Sequence, residues 1–476
     1  MVAETVSQIG TSGIEELADA IRGRILTPGD IEYEDARTVR NGLIDRRPGM
    51  IVRCRGAADV VDAVNFARNH NLLVSIRGGG HNVAGSAVND GGIVIDLSEM
   101  RGVSVDPVKK TVRAQGGATW GDVDRETQLF GLATPGGVVS TTGVGGLSLH
   151  GGWGWLRRKY GYCVDNLVSA EIVTADGQVR TASDTENADL YWAIRGAGSN
   201  FGVVTSFEFQ LHPVGPLVAL AATAYAIEDG ARVLPAFREY MESAPDEVSG
   251  AALFWGIPSD EHFPAELHGK TVCIIAAVHC GEPAEGEPVI APLRELAEPA
   301  LDLSGQMPYA MLQSAFDPFF PKGWFYYWKS LYLNDLSAES MEEIIQLAMA
   351  KPTPNALMAL WHLKGGAASQ VAPDATAFGR RDRPYLLSLD TTWTDQADTD
   401  RCIAWTRNAW SSMQRFGPGG IYLNFAGFGE EKEALVRSSY GDNCDRLVEL
   451  KTMYDPGNLF RMNNNIKPME LAAAAD

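Results

Sequence analysis

At 476 residues with 45% hydrophobic side chains, the chain can bury the cores of two or three domains. Sixty acidic against 40 basic residues leave a formal net charge of −20, which argues against a nucleic-acid partner and against docking on an anionic membrane. Six cysteines without a Cys-x-x-Cys pair suit reduced core thiols, so the expected compartment is the cytoplasm, and no histidine spacing suggests a metal site.

In chain order, Met1-Val2-Ala3-Glu4 shows neither the basic nor the apolar part of a secretory signal, and no later apolar run approaches the roughly 18 residues of a membrane span. Residues 1–45 form a lead-in with a helix near Ile14–Arg24 and a turn at Pro28-Gly29. Met50–Arg53, Asp59–His70 and Leu72–Ile76 then make a strand–helix–strand unit, the helix presenting Val60, Ala63, Val64 and Ala67 on one face. Short strands follow at Ile93–Leu97, Gly102–Asp106 and Thr111–Gln115, and Thr119 is the expected N-cap of a helix reaching Phe130. Residues 131–161 interleave glycine clusters with Val, Leu, Trp and Thr, a mixture suited to ordered loops around a ligand rather than to a flexible linker. Strands at Val168–Thr174 and Val203–Phe209 lead to a boundary at Pro213 through Pro216. Beyond it, Tyr326–Leu333, Ala356–Leu363 and Tyr385–Trp393 read as antiparallel strands, and helical patterns near 229–243, 337–350 and 398–415 would cover one face of their sheet. Residues 430–476 return to helix and loop. The expected fold class is α+β.

The segment Arg77-Gly78-Gly79-Gly80-His81-Asn82 follows directly on an apolar strand. Three glycines turn the backbone with no Cβ in the way, so successive N–H groups can face a phosphate, with His81 at the rim as a nitrogen nucleophile. A Rossmann dinucleotide site competes with this interpretation, because Asp96 lies at about the 20-residue offset of a ribose-binding acid. Its context fails. Residues 82–92 cannot open the helix such a site needs, and Gly196–Gly202 precedes a strand. A nicotinamide-dependent dehydrogenase therefore stands as the alternative.

Further segments join the glycine turn in a fixed order: Gly92–Ser98, the glycine-rich stretch ending in Arg158-Lys159-Tyr160-Gly161 with Asp165-Asn166, Trp192–Thr205, and a C-terminal set from Tyr440-Gly441 through Tyr454-Asp455-Pro456 to Asn463. Together they resemble the vanillyl-alcohol-oxidase and p-cresol-methylhydroxylase flavoproteins, and within these the berberine-bridge-enzyme branch. The resemblance implies a two-part FAD-binding domain of the p-cresol-methylhydroxylase type and a substrate domain whose antiparallel sheet is covered by helices. The corresponding boundaries are a lead-in at 1–45, the FAD domain at 46–215, the substrate domain at 216–430 and a segment at 431–476 that returns to the FAD domain. It implies that FAD is bonded to His81 through the flavin 8α carbon, and that Arg77, Gly78, Gly79, Gly80, Asn82, Gly137, Thr141, Thr142, Gly143, Gly146, Gly152, Tyr160, Asp165, Asn166, Gly202, Val204 and Asn463 contribute to the cofactor site. A neutral imidazole is a competent nucleophile for that bond. The implied activity is hydride transfer from a small alcohol or amine to flavin N5, with oxygen or another electron acceptor reoxidising it.

Two departures from the family pattern matter. Many members carry a second attachment through a cysteine; here the corresponding run is Val139-Ser140-Thr141-Thr142-Gly143, and Val139 cannot form a thioether, so attachment through His81 alone is expected. Thr142 stands where an aliphatic residue usually governs oxygen access, which leaves oxidase and dehydrogenase both open. The family's proton-accepting Tyr-x-Asn-Tyr motif is Tyr422-Leu423-Asn424-Phe425 in this chain, and Phe425 accepts no proton. On a strand Tyr422 and Asn424 would share a face and take over substrate orientation, with Tyr422 as candidate base if its pKa falls from about 10. A flavin-binding protein without turnover is the remaining alternative. Tyr326 and Trp328 alternate on one strand face and, with His362 and Asp390, are candidate substrate contacts.

Overall fold

The computed structural model describes residues 4–428 and 433–470. The boundary expected between residues 430 and 431, Met1–Ala3, and residues 471–476 lie outside the described residues. Among the described residues the strands form sheets of four, five and eight, plus a two-stranded ribbon, and helices pack against them in an α+β arrangement.

The four-stranded sheet runs in the order Arg24–Leu26, Met50–Arg53, Ile93–Asp96, Val74–Arg77, its last three strands parallel. The helix Ala57–Asn69 makes the right-sized crossover, and Val60, Ala63, Val64 and Ala67 bury the expected face against Ile93 and Ile95. The lead-in departs from expectation. Its helix spans Thr11–Ala20, ending before the edge strand Arg24–Leu26, whose short length gave no periodicity to detect.

The five-stranded antiparallel sheet has the order Val103–Asp106, Thr111–Gln115, Gly202–Gln210, Leu167–Thr174, Val179–Ser183. Thr119 caps the helix Trp120–Thr127, its hydroxyl accepting from the Asp122 N–H at 3.3 Å while the Asp122 carboxylate accepts from the Thr119 N–H at 2.8 Å. Helices Glu433–Tyr440 and Cys444–Tyr454 return to this layer, where Val436, Tyr440, Leu447 and Leu450 join a core with Val112, Phe201 and Phe207.

The eight-stranded sheet contains the three expected strands, now bounded as Phe325–Leu333, Leu357–His362 and Tyr385–Trp393. It also contains Leu217–Ala226, Val248–Gly256 and Thr271–His279, which sequence periodicity missed. Val248–Gly256 is buried at every position, and its sequence places small residues and Ser249 among apolar ones without a polar–apolar alternation. One face packs under the helices Gly230–Ser243, Ala338–Met349 and Thr399–Met413, and the other looks toward the glycine loops.

The C-terminal segment is held by a buried ion pair. Lys451 Nζ donates to Asp455 Oδ2 at 2.7 Å, to the Asn200 carbonyl at 2.7 Å and to the Phe460 carbonyl at 2.9 Å, and Asp455 accepts from the Leu459 and Phe460 N–H groups. Both side chains are out of solvent, so removing one partner strands the other. Asp455→Ala is expected to lower unfolding stability by about 3–5 kcal/mol in urea titration, whereas exchange of a surface ion pair such as Lys467–Glu433 costs about 1 kcal/mol or less.

Candidate active site

Two glycine loops meet backbone to backbone. Gly78–His81 leaves the strand Val74–Arg77, and Thr142-Gly143 leaves the turn beside Trp120, whose N–H donates to the Thr142 carbonyl at 2.9 Å. A Cβ on Gly79 would stand 2.4 Å from the Gly143 nitrogen, and one on Gly143 would stand 2.4 Å from the Gly79 nitrogen. Only hydrogen fits on either side of that contact. The backbone N–H groups of Gly79, Gly80 and His81 have no acceptor among the described residues, so they are available to an anion.

These loops form one wall of a cavity of about 1410 Å³, counted to its open mouth. The eight-stranded sheet forms the opposite wall. There Trp328, Asp390 and Leu357 are cross-strand neighbours in register, and all three line the cavity. Trp361 lies farther along the same face, and Trp153, Phe316, Phe320 and Phe425 complete an aromatic end. Met462, Asn463 and Asn464 close a third side, just beyond the Lys451–Asp455 anchor.

The electrostatics single out two residues. Burial, with the nearby Arg40 guanidinium, holds the His81 imidazole well below its usual pKa, so the ring is neutral. Its Nδ1 lies 3.4 Å from the Thr142 hydroxyl, while Nε2 is buried without a partner. Asp390 is pushed up to about 7 by burial, against the Ser388 hydroxyl that donates to Oδ2 at 3.0 Å; its Oδ1 is buried without a partner. The indole N–H groups of Trp153, Trp328 and Trp361 and Asn463 Oδ1 are likewise buried and unpartnered. Such a concentration of unsatisfied atoms around one cavity fits a large polar–apolar ligand. The free N–H row and the neutral imidazole suit a dinucleotide cofactor with a reactive ring.

Of the residues expected at the cofactor, Gly78, Gly79, Gly80, His81, Asn82, Gly137, Thr142, Gly143, Gly146 and Asn463 line the cavity. The others do not line the cavity. Arg77 turns back to donate to the Ala36 carbonyl, and Thr141 accepts from Arg40 Nη2 at 2.8 Å. Gly152, at φ +71°, donates its N–H to Tyr422 Oη at 3.2 Å. Tyr160 stacks on His212 with ring centres 4.0 Å apart, and Asn166 Nδ2 donates to the Tyr160 and Tyr162 carbonyls. Asp165 is spent on a bidentate pair with Arg381 at 2.6 and 2.8 Å. Gly202 and Val204 are strand residues of the five-stranded sheet, the first against the Val173 carbonyl and the second in the core.

Among the substrate candidates, Trp328 and Asp390 reach the cavity, but Tyr326 and His362 do not. Tyr326 donates its hydroxyl to the Pro321 carbonyl, and its backbone is bracketed by the Asn41 side chain. His362 falls on the alternate parity of its strand, with Met358 and Leu360 on the helix-covered face, at the far end from Leu357 and Asp390. Tyr422-Leu423-Asn424-Phe425 is not a strand: Leu423–Phe425 form a 3₁₀ turn after Pro418-Gly419-Gly420, which brings Tyr422, Asn424 and Phe425 all to the cavity. Tyr422 Oη accepts from Asn424 Nδ2 at 2.8 Å, yet burial still drives the phenol well above its usual 10, which removes it as a base at neutral pH. Trp153, Trp361, His150 and Leu147 were not anticipated; their glycine-rich and strand contexts carry no signal of which way the side chain faces.

The fold and site define a flavoprotein oxidoreductase. Residues 48–183 match the FAD binding domain family and residues 421–467 the berberine and berberine-like family. An FAD-linked oxidoreductase of Dictyostelium discoideum is 32% identical over 464 residues, covering 97% of this chain and 98% of that protein. The (R)-6-hydroxynicotine oxidase of Paenarthrobacter nicotinovorans is 32% identical over 465 residues, covering 94% and 97%. The crystal structure of 6-hydroxy-D-nicotine oxidase from Arthrobacter nicotinovorans superposes with a TM-score of 0.83 at 29% identity, covering 94% of this chain and 98% of that one. This chain belongs to the berberine-like family of FAD-linked oxidoreductases. No helix among the described residues is long and apolar enough to cross a membrane.

Gly79→Ala tests the loop contact. The added methyl forces the two backbones apart, and the purified variant is expected to retain FAD at least about tenfold less well than wild type, read as flavin absorbance per protein.

Proposed function

We propose that the enzyme oxidises a small alcohol or amine, with FAD held between the glycine loops and the aromatic wall and bonded to the chain through His81 alone. The observation that carries this is the neutral, buried His81 imidazole with its unpartnered Nε2, at the end of a turn whose Gly79, Gly80 and His81 N–H groups have no acceptor among the described residues. Val139 lines the cavity with an unreactive side chain, which supports a single attachment. When bound, FAD supplies a two-electron acceptor that takes hydride at N5 and passes electrons to oxygen or another acceptor. Asn82, Thr142 and Asn463 would orient the cofactor from its rim.

Asp390 is the group suited to take the substrate proton. It is the sole acid on the cavity lining among the described residues, its free Oδ1 has no competing partner, and its raised pKa brings it near the operating pH. Ser388 holds the other oxygen, so the carboxylate presents one defined face. Tyr422 keeps its proton and serves as a hydrogen-bond donor, steadied by Asn424 and the Gly152 N–H. The aromatic end excludes water from the reacting bond. Six buried thiols, none in a disulfide, support a cytoplasmic setting.

Acid precipitation tests the tether: wild-type colour should stay with the pellet, and His81→Ala should release it to the supernatant. Anaerobic bleaching across alcohols, sugars and cyclic amines tests turnover, and a colourless native protein would defeat the whole proposal. With a bleaching substrate, the reduction rate should fall as pH drops below about 7, because protonating Asp390 removes the base form. Asp390→Asn should abolish that limb and slow reduction by about 10²–10⁴-fold, whereas Tyr422→Phe, which removes the hydroxyl held by Asn424 and the Gly152 N–H but no base, should cost about tenfold or less.

A further inference from the structure

Arg157 does not line the cavity, yet it touches two of the residues that do. It is 0% exposed and pairs with no carboxylate among the described residues. Its guanidinium donates instead to backbone carbonyls: to His362 from Nε at 3.0 Å and Nη2 at 2.8 Å, to Gly154 from Nη1 at 2.8 Å, and to Gly250 from Nη2 at 2.7 Å. The same group lies 5.9 Å from the Trp153 ring centre and 5.7 Å from that of Trp361. Those two indoles tilt against one another with centres 4.5 Å apart, and both form cavity wall.

Carbonyl oxygens satisfy the hydrogen bonds of a guanidinium but do not neutralise it. Arg157 therefore keeps a full positive charge inside a low-dielectric wall, and burial lowers its pKa only to about 9, so it is protonated at neutral pH. Three tryptophans beside one acid would otherwise form an ammonium cage, in which the ring faces attract the ligand's cation. Here two of the three rings already face an internal cation. Arg158 adds to the same side: it donates to the Pro245, Val248 and Ala244 carbonyls, and its nearest acid, Asp246, is 3.7 Å away and half exposed.

The geometry points to Arg157 as a specificity-determining residue, whose charge behind Trp153 and Trp361 makes the cavity disfavour organic substrates carrying an ammonium group relative to uncharged ones of the same shape. This narrows the alcohol-or-amine assignment and rests on the cavity being the substrate site. An amine would enter preferentially as its free base. A unit charge about 10 Å from a bound cation, at an effective dielectric constant near 20, changes affinity about tenfold.

The test uses two probes of one shape, choline and 3,3-dimethyl-1-butanol, titrated into the holoenzyme and read by both flavin absorbance and tryptophan fluorescence. Below pH 7, where Asp390 carries its proton and does not attract the cation, wild type and Arg157→Lys should favour the uncharged probe by about tenfold, and Arg157→Gln should erase most of that preference. A brace without electrostatic effect would lower the melting temperature of Arg157→Gln and leave the ratio of the two affinities where wild type has it; that result overturns the inference. Equal affinities in wild type, or binding of neither probe, overturn it as well, and decide the matter if Arg157→Gln does not accumulate. A colourless protein that still discriminates by tryptophan fluorescence would count against the FAD assignment and leave the charge effect standing.

Discussion

The contact between Gly79 and Gly143 is the constraint from which the site follows. Two backbones approach within a distance that admits no side chain on either, and this brings a strand end from the four-stranded sheet against a turn that packs on the five-stranded one. The Gly79, Gly80 and His81 N–H groups are left without an acceptor among the described residues, and His81 is carried to the rim with one nitrogen near Thr142 and the other unpartnered. A β-carbon at either glycine would separate the two layers and with them the two halves of the cofactor wall.

The opposite wall is organised by register rather than by loops. Trp328, Asp390 and Leu357 stand side by side because three antiparallel strands pair at those positions, and a slip of one residue would turn all three toward the helices. That wall is rigid: it belongs to an eight-stranded sheet buried on both faces, so the acid and the indoles are held without dependence on a mobile loop. Between the two walls the charges are few and all desolvated. A neutral imidazole, a carboxyl near its titration point and an unpaired guanidinium behind two rings each interact more strongly there than they would in water.

The C-terminal residues close the site by a separate device. Lys451 and Asp455 lie on and just beyond one helix, yet their bonds reach Asn200 and Phe460, which fixes the path of Met462–Asn464 along the cavity. Asn200 accepts from the Ile466 N–H at 2.9 Å and secures the far end of the same stretch. Catalytic lining and fold stability are therefore coupled through a single buried network.

Much of this was readable from sequence. The glycine–histidine turn, the strand–helix–strand unit, the Thr119 cap and the strands Thr111–Gln115 and Tyr385–Trp393 depend on local causes: backbone freedom at glycine, apolar periodicity, and a side chain that caps its own helix. Thr271–His279 was missed because its central run lacks the alternation that Ser388, Asp390 and Thr392 give the equally buried Tyr385–Trp393. The Tyr422 segment was taken for a strand because its apolar–polar alternation hides a turn set up by the two glycines before it. What sequence could not decide is which distant side chains share a space. His362 and Asp390 looked equivalent on paper, and strand parity alone sends one to the helices and the other to the cavity. Arg157 reads as one more basic residue beside Arg158 and Lys159; only folding removes it from water and sets it behind two rings separated by some two hundred residues of chain. Local backbone chemistry determined where a cofactor can rest, whereas long-range register and burial, which no window of sequence contains, decided which groups face it and with what charge.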